Sequence, residues 1–152
     1  MKRNLKDIQN YYFVGIGGIG MSALARYFKF LGKNVSGYDK TETELTKALI
    51  SEGITIHYID DIASINKPYL DVEDTIVVYT PAVPKDHKEL NYFIDNGFDV
   101  RKRAEILGDI TASIYTLAVA GTHGKTTTTT ILAHLLKESG EPVTAFLGGI
   151  SE

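Results

Sequence analysis

Cysteine is absent from all 152 residues. That excludes disulfides, thiolate metal centres and cysteine nucleophiles together. A basic excess is missing as well. Sixteen Lys and Arg stand against nineteen Asp and Glu, a net charge of −3, whereas a nucleic-acid or anionic-membrane surface needs the opposite balance. No apolar run approaches the length of a membrane span. The basic start, Lys2-Arg3, is followed by none of the apolar stretch that a secretory signal requires. The default expectation is a soluble cytoplasmic protein that binds neither nucleic acid nor membrane. Apolar residues make up 43% of the chain, enough for a core, and the length suits one domain, or one domain and a piece of a second.

What is present is an alternation of strand and helix signals. Short apolar runs at 11–16, 35–38, 54–58, 75–79 and 98–100 read as strands. Helical spacing appears over 18–31, 42–52 and 86–96, with Gly32, Gly53 and Gly97 placed to end each helix. Residues 59–73 are less regular. A further helical piece begins at Arg103 and is expected to break at Gly108. The alternation predicts an α/β fold, a Rossmann-like doubly wound parallel sheet with helices on both faces. A boundary is placed at 108–113, dividing residues 1–107 from 108–152. The second part offers only a strand at 114–120, a helix at 124–139 and a strand at 143–147. One such unit cannot cover its own sheet, so the chain is expected to be a piece of a longer protein. Segments 114–120 and 124–139 are expected either to pack on residues 1–107 or to pair with another copy.

Two glycine-rich turns carry the chemistry. Gly15, Gly17 and Gly20 have the G-x-G-x-x-G spacing between a strand and a helix, with Gly18 as an extra glycine. Such a loop lets a pyrophosphate approach backbone N–H groups at a helix N-terminus. The competing reading is a purely structural turn. Asp39 ends the second strand about 20 residues beyond Gly20, where a carboxylate can accept from a ribose hydroxyl. It can equally serve as a turn or N-cap aspartate before Lys40-Thr41. The spacing does not separate NAD from another nucleotide diphosphate.

The second turn is Gly121-Thr122-His123-Gly124-Lys125-Thr126, after an apolar run and before a helix. Val119 stands where the standard phosphate-loop pattern has glycine. The shorter form keeps the essential parts: Lys125 to reach the β- and γ-phosphates of ATP and the Thr126 hydroxyl to ligate Mg²⁺. Five successive threonines, 126–130, are poor helix formers, costing up to about 0.7 kcal/mol each. Hydroxyls near a metal and phosphates account for the first two, and back-bonding or surface exposure for the rest. His123 is read as touching phosphate or facing solvent, and His134 as a surface or packing residue. His57 and His87 show no partner pattern.

These residues resemble the Mur ligases of peptidoglycan synthesis. Tyr12-Phe13-Val14 through Ala25 is similar to the family's N-terminal signature, and Ala120 through Thr127 to its histidine-bearing ATP loop. Thr80-Pro81-Ala82-Val83-Pro84 and Arg103-Ala104-Glu105-Ile106-Leu107 resemble intervening segments. The resemblance implies a UDP-sugar site at Gly15, Gly17, Gly18, Ile19, Gly20, Met21, Ser22, Asp39, Thr80, Pro81 and Ala82. It implies an ATP site at Gly121, Thr122, His123, Gly124, Lys125, Thr126 and Thr127. Lys125 and Thr126 would be catalytic and Thr126 a Mg²⁺ ligand. It also implies a three-domain enzyme, of which residues 1–107 are the UDP-sugar domain and 108–152 the opening of the ATP-binding central domain. In that enzyme the lactoyl carboxylate of UDP-N-acetylmuramate takes the γ-phosphate of ATP. The amine of L-alanine then displaces phosphate from the acyl phosphate. The remaining acidic metal ligand, a histidine and the alanine site would lie beyond Glu152, so this chain alone would not ligate. Relatives carry Gly-His after the third strand where this chain has Ile59-Asp60-Asp61. The rival readings are an NAD-dependent dehydrogenase domain, a non-catalytic nucleotide-binding module, and the ligase that attaches recycled murein peptides.

Overall fold

A computed structural model of the chain describes residues 3–147. Five parallel strands form one sheet: β1 (Asn10–Val14), β2 (Asn34–Tyr38), β3 (Thr55–His57), β4 (Thr75–Tyr79) and β5 (Asp99–Lys102). Their spatial order is β3-β2-β1-β4-β5. The chain therefore works outward from β1 on one side, then returns to lay β4 on the other. In such sheets the crevice outside the carboxyl ends of the two strands at the reversal is where ligands bind. Here those strands are β1 and β4, paired in register from Asn10↔Thr75 to Val14↔Tyr79.

Strand alternation sends successive side chains to opposite faces, and both faces are covered. On one side Tyr11, Phe13, Ile76 and Val78 pack with Met21, Leu24, Ala25 and Phe28 of α1 (Ile19–Phe30). Leu49 of α2 (Glu44–Ser51) and Ile106 and Ile110 of α4 (Arg103–Ser113) complete that layer. The Tyr11 and Phe28 rings stack at 3.7 Å. On the other side Tyr12, Val14, Tyr38 and Val77 meet Leu90 and Phe93 of α3 (Lys88–Asp95). The stretch that looked irregular, 59–73, contains two short 3₁₀ turns, Ile62–Ser64 and Lys67–Leu70; Ile65, just after the first, and Tyr69, within the second, close this second layer.

Three expected features differ. α4 does not break at Gly108 but runs through it to Ser113. A helical glycine costs about 1 kcal/mol relative to alanine. Burial of Ile106 and Ile110, at 0% and 2% exposure, outweighs that cost. Buried Arg101 adds to it, donating from Nη1 to Asp109 Oδ2 at 2.9 Å and from Nη2 to the Arg3 carbonyl at 2.6 Å. Secondly, residues 114–120 form no strand. A strand needs a hydrogen-bonding neighbour, and none of the described residues pairs with this segment, whose Tyr115 and Leu117 are exposed. Thirdly, 143–147 forms no strand either. It lies along α1 instead, with the Phe146 ring edge-on to Tyr27 at 5.5 Å. The expected helix after the second glycine turn is present as α5 (Lys125–Glu138), and it buries no side chain. Among the described residues, no helix is long and apolar enough to cross a membrane.

A Cβ at Gly108 would meet nothing within 4 Å. Gly108→Ala is therefore expected to stabilise the protein by about 0.5–1 kcal/mol. Thermal unfolding should show a midpoint raised by a few degrees; an unchanged or lowered midpoint would contradict the continuous helix.

Candidate functional site

The first glycine turn begins where β1 ends. Gly15 takes φ +84°, a conformation that side chains disfavour. The turn is tied to the end of β2 because the Tyr38 carbonyl accepts from both Gly15 N–H (2.8 Å) and Ile16 N–H (3.0 Å). Gly17 N–H then donates to Asp39 Oδ2 at 2.7 Å. A Cβ at Gly17 would lie 2.8 Å from that oxygen and 2.8 Å from Thr46 Cγ2, so glycine is needed for the approach. The Thr80 methyl stands beside Gly15, 3.3 Å from where its Cβ would be, and Val83 N–H closes a turn onto the Thr80 carbonyl at 3.1 Å. Gly15 and Thr80 thus face each other across the β1–β4 crevice, with Pro81 and Ala82 exposed at its edge.

Gly18 caps α1 without a side-chain hydrogen bond, and no acidic residue lies in the first turn. Its carbonyl accepts from Met21 and Ser22 N–H. Among the described residues the N–H groups of Ile19 and Gly20 have no acceptor. These two donors and the helix dipole favour an anion. Met21 is buried in the core, and the buried Ser22 hydroxyl donates back to the Ile19 carbonyl at 2.9 Å. Asp39 Oδ1 accepts from Thr41 N–H at 3.1 Å. The turn role considered for Asp39 is therefore present, and its other oxygen stiffens the glycine loop.

Beneath the carboxyl end of the sheet lies a buried polar network that sequence spacing did not reveal. The Tyr12 hydroxyl is 2.6 Å from Glu89 Oε2 and 2.7 Å from His57 Nε2. His57 Nδ1 is 3.0 Å from the Ile59 carbonyl, which can only accept, so Nδ1 carries the proton and Nε2 is an acceptor. One hydroxyl proton cannot serve two acceptors, so the cluster needs a second proton. Burial pushes Glu89 up to about 7 and His57 down, which places that proton on Glu89. Burial, and then Glu89 itself, also holds the Tyr12 hydroxyl far above its usual range. Glu89 Oε1 accepts from Asp61 N–H at 3.2 Å. Asp60 accepts from Lys88 and Glu89 N–H at 3.0 and 3.1 Å, capping α3. Asp60 and Asp61 thereby tie the loop after β3 to the start of α3.

His87 caps the same helix, Nδ1 accepting from Leu90 N–H at 3.2 Å, and its ring meets Tyr38 edge-on at 4.6 Å. Burial lowers its pKa. Its Nε2 is buried without a partner among the described residues. Neither histidine looked partnered in the sequence, because their local partners are backbone groups and the side chains that meet them, Tyr12 and Tyr38, come from other strands.

At the second turn Gly124 takes φ +75° and caps α5. Lys125 Nζ donates to the Gly121 and Thr122 carbonyls at 2.7 and 3.3 Å. The first α5 amide with an acceptor is Thr128 N–H, bonded to the Gly124 carbonyl at 2.9 Å. The N–H groups of Lys125, Thr126 and Thr127 have none among the described residues. Thr129 back-bonds to the Lys125 carbonyl at 2.8 Å, as the surplus threonines suggested. His123 and His134 are both exposed. Free amides, a lysine lying over the loop and unengaged hydroxyls at 126 and 127 suit a nucleotide triphosphate and its metal ion.

A doubly wound parallel sheet with a glycine loop at its reversal point, and a second glycine turn opening α5, is an α/β protein with the layout of phosphate-binding loops. Residues 10–115 match the description "Mur ligase family, catalytic domain". The UDP-N-acetylmuramate–L-alanine ligase of Flavobacterium psychrophilum is 64% identical over 149 residues, 98% of this chain and 33% of the relative. The solved UDP-N-acetylmuramate–alanine ligase of Thermotoga maritima superposes with a TM-score of 0.82 at 37% identity, over 93% of this chain and 32% of that one. A murein peptide ligase of Psychrobacter arcticus gives 0.74 at 32% identity, over 87% and 27%. The chain belongs to the Mur ligase family. It spans about a third of the length of the curated relatives it matches.

The Glu89 proton has a thermodynamic signature. A carboxyl whose pKa rises from 4.5 unfolded to about 7 folded binds its proton more tightly in the native state. Stability is therefore lost as pH rises through that window. Gln is isosteric with the protonated acid and keeps both hydrogen bonds. Glu89→Gln should gain on the wild type between pH 4.5 and 7, by about 3 kcal/mol at the upper end, and stay level above. Denaturant unfolding at a series of pH values checks this. A difference independent of pH would mean that the carboxyl titrates alike in the folded and unfolded protein.

Proposed function

We propose that these residues form the substrate-binding part, and the opening of the ATP-binding part, of an ATP-dependent carboxylate–amine ligase in peptidoglycan synthesis. The whole enzyme joins L-alanine to the lactoyl carboxylate of UDP-N-acetylmuramate in the cytoplasm. The observation that carries this reading is the 64% identity to a UDP-N-acetylmuramate–L-alanine ligase across both anion-binding turns. The lower identity to a murein peptide ligase favours the alanine-adding reaction over attachment of recycled peptides. The UDP-sugar would sit in the β1–β4 crevice, its diphosphate on the free amides of Ile19 and Gly20. Gly15, Gly17 and Gly18 would shape the loop, Asp39 would lie near the nucleoside, and Thr80 to Ala82 would line the opposite wall.

ATP would occupy Gly121 to Thr127, and the Thr126 hydroxyl would face Mg²⁺. The metal ion supplies charge neutralisation at the phosphates. Lys125 and the α5 amides would hold the γ-phosphoryl group for attack by the carboxylate. The carboxylate would take the γ-phosphoryl group, releasing ADP, and the amine of L-alanine would then displace inorganic phosphate from the acyl phosphate, losing a proton to leave the amide. A division near 108–113 into a sugar-binding domain, 1–107, and the start of an ATPase domain, 108–152, accompanies this reading. Ile106 and Ile110 then anchor one continuous helix across the division.

Calorimetric titration of the 152-residue chain with UDP-N-acetylmuramate should release heat, whereas NADH should not shift its melting temperature. Folded protein that ignores the UDP-sugar but responds to NADH would favour the dehydrogenase reading. In the enzyme of full relative length, Lys125→Ala should lower ATP turnover by at least about 100-fold. The 152-residue chain by itself should form no amide.

A further inference from the structure

Arg103 opens α4, yet its side chain lies across the start of α1. A Cβ placed on Gly20 would fall 2.6 Å from Arg103 Nη1 and 3.1 Å from both Cδ and Cζ. The third glycine of the fingerprint is usually explained by close packing of helix on strand. In this chain it makes room for a guanidinium. Gly20 is the second residue of α1, so the guanidinium stands at the positive end of that helix, where a cation is disfavoured. It also belongs to the first residue of α4, the positive end of another helix.

Nothing among the described residues compensates this charge. Arg103 is exposed and makes no hydrogen bond or ion pair among them. Other cations of the flanking helices are engaged. Arg26 grips Glu52 through Nε and Nη2, Lys29 donates to the Gly53 carbonyl, and Lys47 is shared between Glu42 and Glu44. The neighbouring amides of Ile19 and Gly20 are equally without acceptors. Two free donors, a helix end without an acidic residue and an unpaired guanidinium converge on one spot. Each is open to solvent, and one bound anion would engage all of them.

We propose that Arg103 is a diphosphate-binding residue of the first glycine loop, closing over an anion seated on the Ile19 and Gly20 amides, and that Gly20 is required to admit it. This rests on the reading that the loop holds a nucleoside diphosphate. A planar guanidinium can engage two phosphate oxygens at once, which lysine cannot do. Ligands bearing both phosphates should therefore depend on Arg103, and ligands lacking phosphate should not.

The test uses UDP by calorimetry and uridine by NMR titration, which tolerates weak binding. Arg103→Ala should weaken UDP by roughly tenfold or more and leave uridine within twofold. Arg103→Lys should recover only part of the loss. Gly20→Ala should weaken UDP when Arg103 is present and add little in the Arg103→Ala background, because its methyl acts by displacing the guanidinium. Equal losses for UDP and uridine would make Arg103 a merely structural residue and overturn the proposal. So would UDP affinity unchanged in Arg103→Ala, or full additivity of the two substitutions. Failure of the wild type to bind UDP at all would instead remove the reading of the loop, and this proposal with it.

Discussion

The Tyr38 carbonyl holds the site together. By accepting from Gly15 and Ile16 N–H it splices the turn after β1 onto the end of β2. It thereby sets Asp39 against Gly17 and leaves the loop no freedom to collapse into the crevice. The arrangement depends on Gly15 at φ +84° and on the absence of a side chain at Gly17. The same anchoring fixes where α1 starts, and hence where its free amides point.

The two faces of the sheet divide the work. One is an apolar layer in which Tyr11, Phe13 and Phe28 fasten α1, while Ile106 brings up α4 and with it Arg103. The other trades apolar burial for a proton-sharing cluster of Tyr12, His57 and Glu89, with Asp60 and His87 capping α3 beside it. A buried neutral carboxyl is costly at neutral pH, but it joins β1, β3 and α3 through polar contacts of fixed geometry. Such networks rigidify only when every member is satisfied. Here the Glu89 proton supplies the donor that the count of acceptors lacks.

The second glycine turn shows the limit of local order. Gly124 and Lys125 form the turn and α5 follows, because capping and helix propagation need only nearby residues. The flanking segments 114–120 and 143–147 have strand-like composition but no paired neighbour, and they form no regular secondary structure. Phe146 instead settles on Tyr27, beside an open cavity of about 620 Å³ lined by Ile19, Tyr27 and Leu45. Apolar side chains take the nearest apolar surface when no sheet is at hand.

The sequence by itself determined the alternation of strands and helices, the two glycine turns, the family resemblance and the free amides of each turn's helix. All follow from periodicity and from short-range stereochemistry, which neighbours along the chain decide. The strand order, the meeting of Gly15 with Thr80, the guanidinium of Arg103 over Gly20 and the Tyr12–Glu89–His57 cluster were decided only by the tertiary structure. These partners stand far apart in the chain and meet at the sheet's carboxyl edge, where topology rather than spacing sets the distance. The continuity of α4 through Gly108 belongs with them, since core burial overrides a local preference whose scale is about 1 kcal/mol.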